Sequence, residues 1–492
     1  MTNMGDRAVD LFNQGRLDEA RKLARKLLKE DPENPEVLHF LGQISLREGN
    51  HAQTISLVKR AIKHNPLQPR FHETIAIAYS HSGNMPLAEQ ECKEALKLDA
   101  NLPEALNTLG LVYSRQRKHK ESIAVFMQAM KVKPNNTDAM NNLSISLINT
   151  GQYDLARKYL QVVLNTNPND VRAWNNLSLT YRGERRMEEA KNALRKSGNN
   201  VRSLFNLAQL LLLEDKLAEG LLYYEKRKEI LGIGNNINKP EWDGSPQPQK
   251  RLLVVREQGL GDAILISRFY PYLKNYFKKV YIQTPKPLMR LMQTIDPDLE
   301  FIPPADKVGF DLWCLSMSLP FMLKIDAVEK IPQTPWFKIP NERPRGGKLR
   351  IGLNWAGNPA YTGDVIRSTH LKELEMLLQV KNAQWFSLHR GYREDEAQHY
   401  NLPQPLKEAK DFYDSAVFIN SLDMVLSTET AVPNLSAALG ITTCVLTTPD
   451  YDWRWGSWYQ SAIPCPQDRH GNWYGPIYKA LTVIKDRLLQ TT

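Results

Sequence analysis

The sequence predicts two architectures in one chain: an α-solenoid of helix pairs over residues 1–230, then an α/β region of two halves, each built on a parallel sheet. Three observations carry this. Residue types recur at a spacing of 34 through the first two hundred positions. From Arg251 short apolar runs alternate with amphipathic stretches instead. A Pro/Gly-rich interruption, "IPNERPRGGK" from Ile339 to Lys348, then splits that second region. A length of 492 residues exceeds what one hydrophobic core serves, and suggests about three domains.

The repeat is read column by column. Leu41-Gly42, Ile75-Ala76, Leu109-Gly110, Leu143-Ser144 and Leu177-Ser178 fall at the same phase, as do Ala20, Ala88 and Ala156. Pro32, Pro66, Pro134 and Pro168 form another column, where proline stops the second helix of each pair. Several columns agreeing in one register resemble the tetratricopeptide repeat, with about six units to residue 200 and a shorter seventh from Val201. Such a stack buries small residues between neighbouring helices and leaves an extended concave groove, which suits a protein partner. Asn142 and Asn176 share a phase in the later units, with Asn206 taken as the same place 30 residues on at the start of the shorter seventh; Phe40, Thr74 and Thr108 hold that place earlier. The O-linked N-acetylglucosamine transferases carry an asparagine ladder at this repeat position. The resemblance implies that these amides, each both donor and acceptor, clamp an acceptor peptide backbone. Solvated helix-surface or capping roles remain the alternative.

A linker is expected over 231–250, where Gly, Asn and Pro cluster. Strands are expected in "RLLVV", "KVYIQT", "LEFI", "DLWCL", "LRIGLNW", "AQWFSLH", "DMVLST" and "TTCVLT". The first half spans 251–345 and the second 346–475. A terminal helix, 476–492, is expected to pack back on the first half.

The net charge of +10 favours acidic ligands, but it is spread along the chain, with no basic arm for nucleic acid. The opening "MTNMGDRAVDLFNQG" has no apolar core of signal-peptide length, and no run of 18 apolar residues occurs, so a cytoplasmic protein with no membrane span is expected. Cys92, Cys314, Cys444 and Cys465 are too scattered for a zinc site or a disulfide framework. P-loop, hydrolase-elbow and zincin motifs are absent from the sequence. "DYD" at Asp450–Asp452 is too short a match to imply a metal, and "DPD" at Asp296–Asp298 shows how readily such triplets recur.

Loops following strands are where ligands sit in open parallel sheets. Four stand out: "EQGLGD", "NWAGNP" with the later "IRS", "STETAVPNLSAALG" and "DYDWRWGSWYQS". The first resembles a dinucleotide turn, but lacks the third glycine and places Asp262 at the helix start. The helix opening at Glu429 to Ala431 offers N–H groups suited to a phosphate, and Arg367 suits a bidentate clamp.

Together, and with "YYEKR" and "PEWDG" before the first strand, these loops resemble the heptosyltransferase-related glycosyltransferases of the GT-B fold, in the branch bearing N-terminal tetratricopeptide repeats. The resemblance spans nearly the whole chain and implies two Rossmann-like halves. It implies Asp262 as general base in an acceptor-facing turn with Gly259 and Gly261. An N-cap, worth about 1 kcal/mol, is the plainer reading of Asp262. The donor diphosphate is implied at Trp355, Gly357, Asn358, Arg367 and Ser368, and the donor generally at Glu429, Thr430, Ala431 and Asn434, with Arg454 reaching phosphate. Glu429 stands where the family has aspartate and Asn434 where it has histidine, which bears on donor identity. The implied activity is inverting, metal-independent transfer from a nucleotide-sugar to a serine or threonine of a protein held by the repeats, flagellin being one such acceptor in similar proteins. No cofactor or metal is expected. A lipopolysaccharide or other glycan transferase, and a non-catalytic adaptor with a decayed transferase domain, are the alternatives.

Overall fold

The computed structural model describes residues 2–491 except 235, 334, 342, 343, 345, 346, 362 and 470; part of the expected interruption at 339–348 therefore lies outside the described residues. The chain forms two compact units, Met1–Ser197 and Gly198–Thr492.

In the first unit helices alternate in antiparallel pairs. First helices include Pro35–Arg47, Pro69–His81, Pro103–Arg115, Thr137–Asn149 and Val171–Gly183; second helices include His51–His64, Met85–Leu98, His119–Val132 and Tyr153–Thr166. Three first helices start on proline, whose fixed φ and missing N–H suit that position. Others are capped by a side chain, as where Asp170 accepts from the Ala173 N–H at 2.9 Å. The turn inside each pair needs one left-handed residue. Gly15, Gly49, Gly83 and Gly151 supply it at φ 76–83°, while Arg117 and Arg185 adopt φ 61° in the same column. The small-residue columns are packing devices. A Cβ on Gly42 would lie 2.6 Å from Val58, and one on Gly110 2.7 Å from the Phe126 ring. First helices of successive repeats lie against one another, which puts them on the inner, concave face.

The second unit begins with two further repeat-type helices, Val201–Leu213 and Leu217–Tyr224. Leu212, Leu217, Leu221 and Tyr224 enter the same core as Leu252, Val254 and Ile264. The compact boundary therefore falls at 197/198 rather than 230, because this last pair is built onto the first sheet. That sheet contains β1 (Gln247–Val255), β2 (Phe277–Gln283), β3 (Glu300–Ile302) and β4 (Leu312–Leu315), parallel throughout, in the order β3-β2-β1-β4. The second contains β5 (Leu349–Asn354), β6 (Ala383–Ser387), β7 (Met424–Thr428), β8 (Thr442–Thr447) and β9 (Ala462–Pro466), also parallel, in the order β6-β5-β7-β8-β9.

All eight expected strands form, and β9 is an addition. Its sequence, "AIPCP", carries two prolines, which a strand tolerates at a sheet edge, where β9 lies. The terminal helix, Tyr474–Thr491, forms as expected, but its packing needs correction. Ile477, Ala480 and Ile484 enter the second sheet's core beside Ile351, Leu426 and Cys444, so the helix covers its own half rather than returning to the first. Its apolar face meets β8 and β9 directly, and the short connection from β9 leaves it on that side. Among the described residues no helix is long and apolar enough to cross a membrane.

Candidate functional site

Each sheet reverses its strand order once: between β1 and β4 in the first, and between β5 and β7 in the second. At such a reversal the crossovers leave in opposite directions and open a crevice beyond the strand ends. The loops after β1, β5 and β7 are the "EQGLGD", "NWAGNP" and "STET" segments.

The loop after β1 is held from beneath. Glu257 is buried and accepts from Arg227 through both oxygens, at 2.8 and 3.0 Å, and from the Met317 N–H beyond β4 at 2.8 Å. Arg227 also donates to Ser318 Oγ (2.8 Å) and Glu225 (2.7 Å). Against the desolvation that burial imposes, Glu257 and Glu225 raise the Arg227 pKa. The "YYEKR" segment is thus the foundation of the glycine turn. Gln258, at φ 59°, is bound by the Tyr224 hydroxyl (2.9 Å) and by Arg454 (3.0 Å).

Gly259 caps the helix Leu260–Ile266, and Asp262, at its third position, accepts from the Gly259 N–H at 2.9 Å. The expected N-cap is thereby refined: Asp262 is not the N-cap but sits three residues further on, and its carboxylate reaches back to the N-cap N–H, the one arm of a capping box that a glycine N-cap allows. Its other oxygen pairs with Arg454 of the second half at 2.7 Å. Gly261 lies where the two halves touch, since a Cβ there would sit 2.7 Å from Asn434 Nδ2. It serves close packing of the helices Leu260–Ile266 and Ala431–Ala438.

On the second half Asn354 ends β5 and donates to Ser427 (3.0 Å) and Thr430 (3.2 Å), while His389 Nδ1 lies 2.9 Å from its Oδ1. Trp355 is buried against the His389 ring, with centroids 4.7 Å apart. The Gly357 N–H donates to Ser368 Oγ at 2.8 Å, and a Cβ on Gly357 would strike Asp364 and Arg367. Arg367 pairs with Asp364 at 3.1 Å and lies over Tyr361. Asn358 is exposed, and its Oδ1 accepts from the Ala360 N–H in its own turn. Thr430 caps the helix that Ala431 opens, accepting from Val432.

Asn434 and Glu429, expected at the donor, are both hydrogen-bonded by side chains that follow β8. Asn434 is buried, donates to the Thr430 carbonyl at 2.9 Å and accepts from the Tyr459 hydroxyl at 3.1 Å, so its amide is bound within the second half while it packs against Gly261 of the first. Glu429 accepts from the Trp455 indole at 2.9 Å. Burial first, and then the neighbouring Asp452, push its pKa up to about 7. Arg454 donates to Asp452 as well as Asp262, and against desolvation these two carboxylates raise its pKa. Its Nε has no hydrogen-bond partner among the described residues; nor do Arg256 Nε, Thr428 Oγ1 at the end of β7 and Thr447 Oγ1 at the end of β8.

In the repeat unit, Asn142 donates to Asn107 at 3.1 Å and Asn176 to the Asn141 carbonyl at 3.3 Å. Asn206 belongs to the second unit. The asparagines join successive first helices, and His39 meets Thr74 in the same way at 2.8 Å. Glu257, Gln258, Asn354 and Tyr459 lie in the loops that the sequence marks, and His389 ends an expected strand, but no individual role is assigned there to Glu257, Gln258, Asn354, His389 or Arg227. The quoted loops and "YYEKR" carry the signal of position, whereas the pairings join segments distant in the chain and have no local signature.

Residues 6–209 match the family described as the C-terminal domain of cilia and flagella-associated protein 70. Similar solved structures include MamA (23% identity, 33% of this chain and 94% of that one, TM-score 0.30). A tetratricopeptide repeat protein from Parabacteroides merdae shows 17% identity over 48% of this chain and 94% of that one, with TM-score 0.41. YrrB, described as a repeat protein with an unusual peptide-binding site, shows 17% identity over 37% and 96%, with TM-score 0.32. No curated protein matches the chain.

Proposed function

We propose that the chain is a metal-independent, inverting glycosyltransferase of GT-B type that takes a sugar from a nucleotide-sugar and places it on a serine or threonine of a protein bound by the repeats. The repeats themselves are tetratricopeptide repeats, a fold of protein-interaction modules. One observation carries the catalytic part: Asp262, on the loop that follows β1 at the first sheet's strand-order reversal, is paired with Arg454, on the loop that follows β8 of the second. Transfer requires a base to take the acceptor proton and positive charge or N–H groups to stabilise the departing phosphate. Asp262 is assigned the first role. Arg454, Arg367 and the helix opening at Thr430–Ala431 are assigned the second, with Gly259 and Gly261 facing the acceptor.

The non-catalytic adaptor has its own support in Asn434, whose amide is spent on Thr430 and Tyr459. A thermal-shift panel of UDP-, GDP-, ADP- and CMP-sugars separates the two, because a ligand that binds the folded state raises its melting temperature. A rise with one nucleotide class is expected; silence across the panel overturns the transferase. Intact-mass analysis of proteins captured by the full chain, with and without that donor, then identifies sugar and acceptor.

A further inference from the structure

We infer that Arg454 is an exchangeable clamp on Asp262: in the ligand-free protein it holds the carboxylate, and a nucleoside diphosphate displaces Asp262 from it. The inference rests on the glycosyltransferase reading and adds an order of events to it.

Two carboxylates share this one guanidinium, Asp262 at 2.7 Å and Asp452 at 2.5 Å. When Asp262 lets go, Asp452 still neutralises the buried cation, so exchange does not strand a charge. Arg454 also keeps a donor in reserve, its buried Nε–H without a partner, which a phosphate oxygen would satisfy. A diphosphate brings more charge and more acceptors to a guanidinium fork than one carboxylate does.

Asp262 is equally prepared for release. Its second oxygen stays on the Gly259 N–H, so the carboxylate keeps its place while the first oxygen comes free toward the crevice. Gln258, which also binds Arg454, holds a left-handed backbone rarely adopted by a non-glycine residue. The turn therefore loses little by moving when its arginine contact is withdrawn. Tyr224 and Tyr459 are the other titratable groups facing Asp262, and Glu429 lies beyond Asp452. Arg454 is the cation paired with Asp262, whereas Arg227 and Arg268 act on the two tyrosines, so its transfer to a ligand changes the surroundings of Asp262 the most. In consequence the proton acceptor is freed only when a donor is in place, which guards against unproductive chemistry in its absence.

The test is a double-mutant cycle on the full chain, read by calorimetric titration with UDP, GDP and ADP. Asp262→Asn keeps an acceptor for Gly259 but gives up the ion pair. It should tighten the nucleotide that binds by about fivefold, and Arg454→Met should weaken it by about tenfold or more. In the Arg454→Met background, Asp262→Asn should change affinity by less than about twofold. Equal tightening in both backgrounds indicates plain charge repulsion and overturns the clamp, as does no tightening in either. Melting of each variant without ligand checks folding, and Arg454→Lys, which retains charge but not the fork, replaces Arg454→Met if that variant does not fold. Failure of all three nucleotides to bind wild type and Asp262→Asn overturns the clamp, and silence with CMP as well removes the transferase reading itself, a result distinct from binding without competition.

Discussion

The two compact units use polar side chains in opposite ways. In Met1–Ser197 they tie a helix to its counterpart one repeat away, as Asn142 does with Asn107 and Arg115 with the Ser80 carbonyl. In Gly198–Thr492 they tie segments with no periodic relation, as Arg227 does with Glu257 and Ser318, or Arg454 with Asp262. A lost link in the repeat unit is local, since each repeat rests only on its neighbours. A lost link in the sheet unit removes a junction that several loops share.

Substitution at Arg227 is the harshest test of this contrast. Arg227→Met leaves Glu257 buried without its cation, and should cost the sheet unit about 3–5 kcal/mol. Nine of the ten tryptophans lie after residue 197, so tryptophan emission during urea unfolding reads that unit, while far-UV circular dichroism weighs the helices of the repeats. The emission midpoint should fall, with little change in the helical signal of the first unit. Coincident loss of both would refute independence of the units.

Glu429 gives an intermediate effect whose sign is set by pH. Its folded pKa, about 7, lies above the ordinary carboxyl value of 4.5, because burial and Asp452 disfavour the anion. Its contribution is therefore fully present below pH 4.5 and is lost as pH rises through 7. Glu429→Gln should flatten the stability of the sheet unit across that window and leave it more stable at pH 8 by about 1–3 kcal/mol. Unchanged pH dependence of the emission midpoint would show that Glu429 is not the titrating group.

Asn142→Ala should give the smallest effect, about 0.5–1.5 kcal/mol, because it removes one half-buried hydrogen bond between two repeats. Circular dichroism should record it with the tryptophan transition unmoved. A larger loss spreading through the repeats would break the picture of independent neighbours.

The legibility of the chain follows the same division. The 34-residue period was plain because each repeat solves one packing problem, and even the left-handed turn shows as a glycine column. Eight strands were legible as apolar runs; β9 was not, because Pro464 and Pro466 disguise an edge strand. The terminal helix was visible by its periodicity, but periodicity does not say which sheet receives its face. Within the site, Asp262, Thr430 and Ala431 were legible as features of helix starts. Asn434 was legible as a position but not as a seam residue, since the Gly261 that it packs against lies 173 residues earlier in the chain.

The sequence by itself determined the repeat count, the change of architecture near residue 200–250, the strands that read as apolar runs and the loops that end them, because these depend on local periodicity and backbone preference. Only the tertiary structure decided that the last helix pair belongs with the sheets, that Gly261 is a contact between two helices, and that Arg454 lies on Asp262. Arg454 and Asp262 are 192 residues apart in the chain. An ion pair between residues so distant has no local signature; it exists only once two sheets have folded and their loops meet.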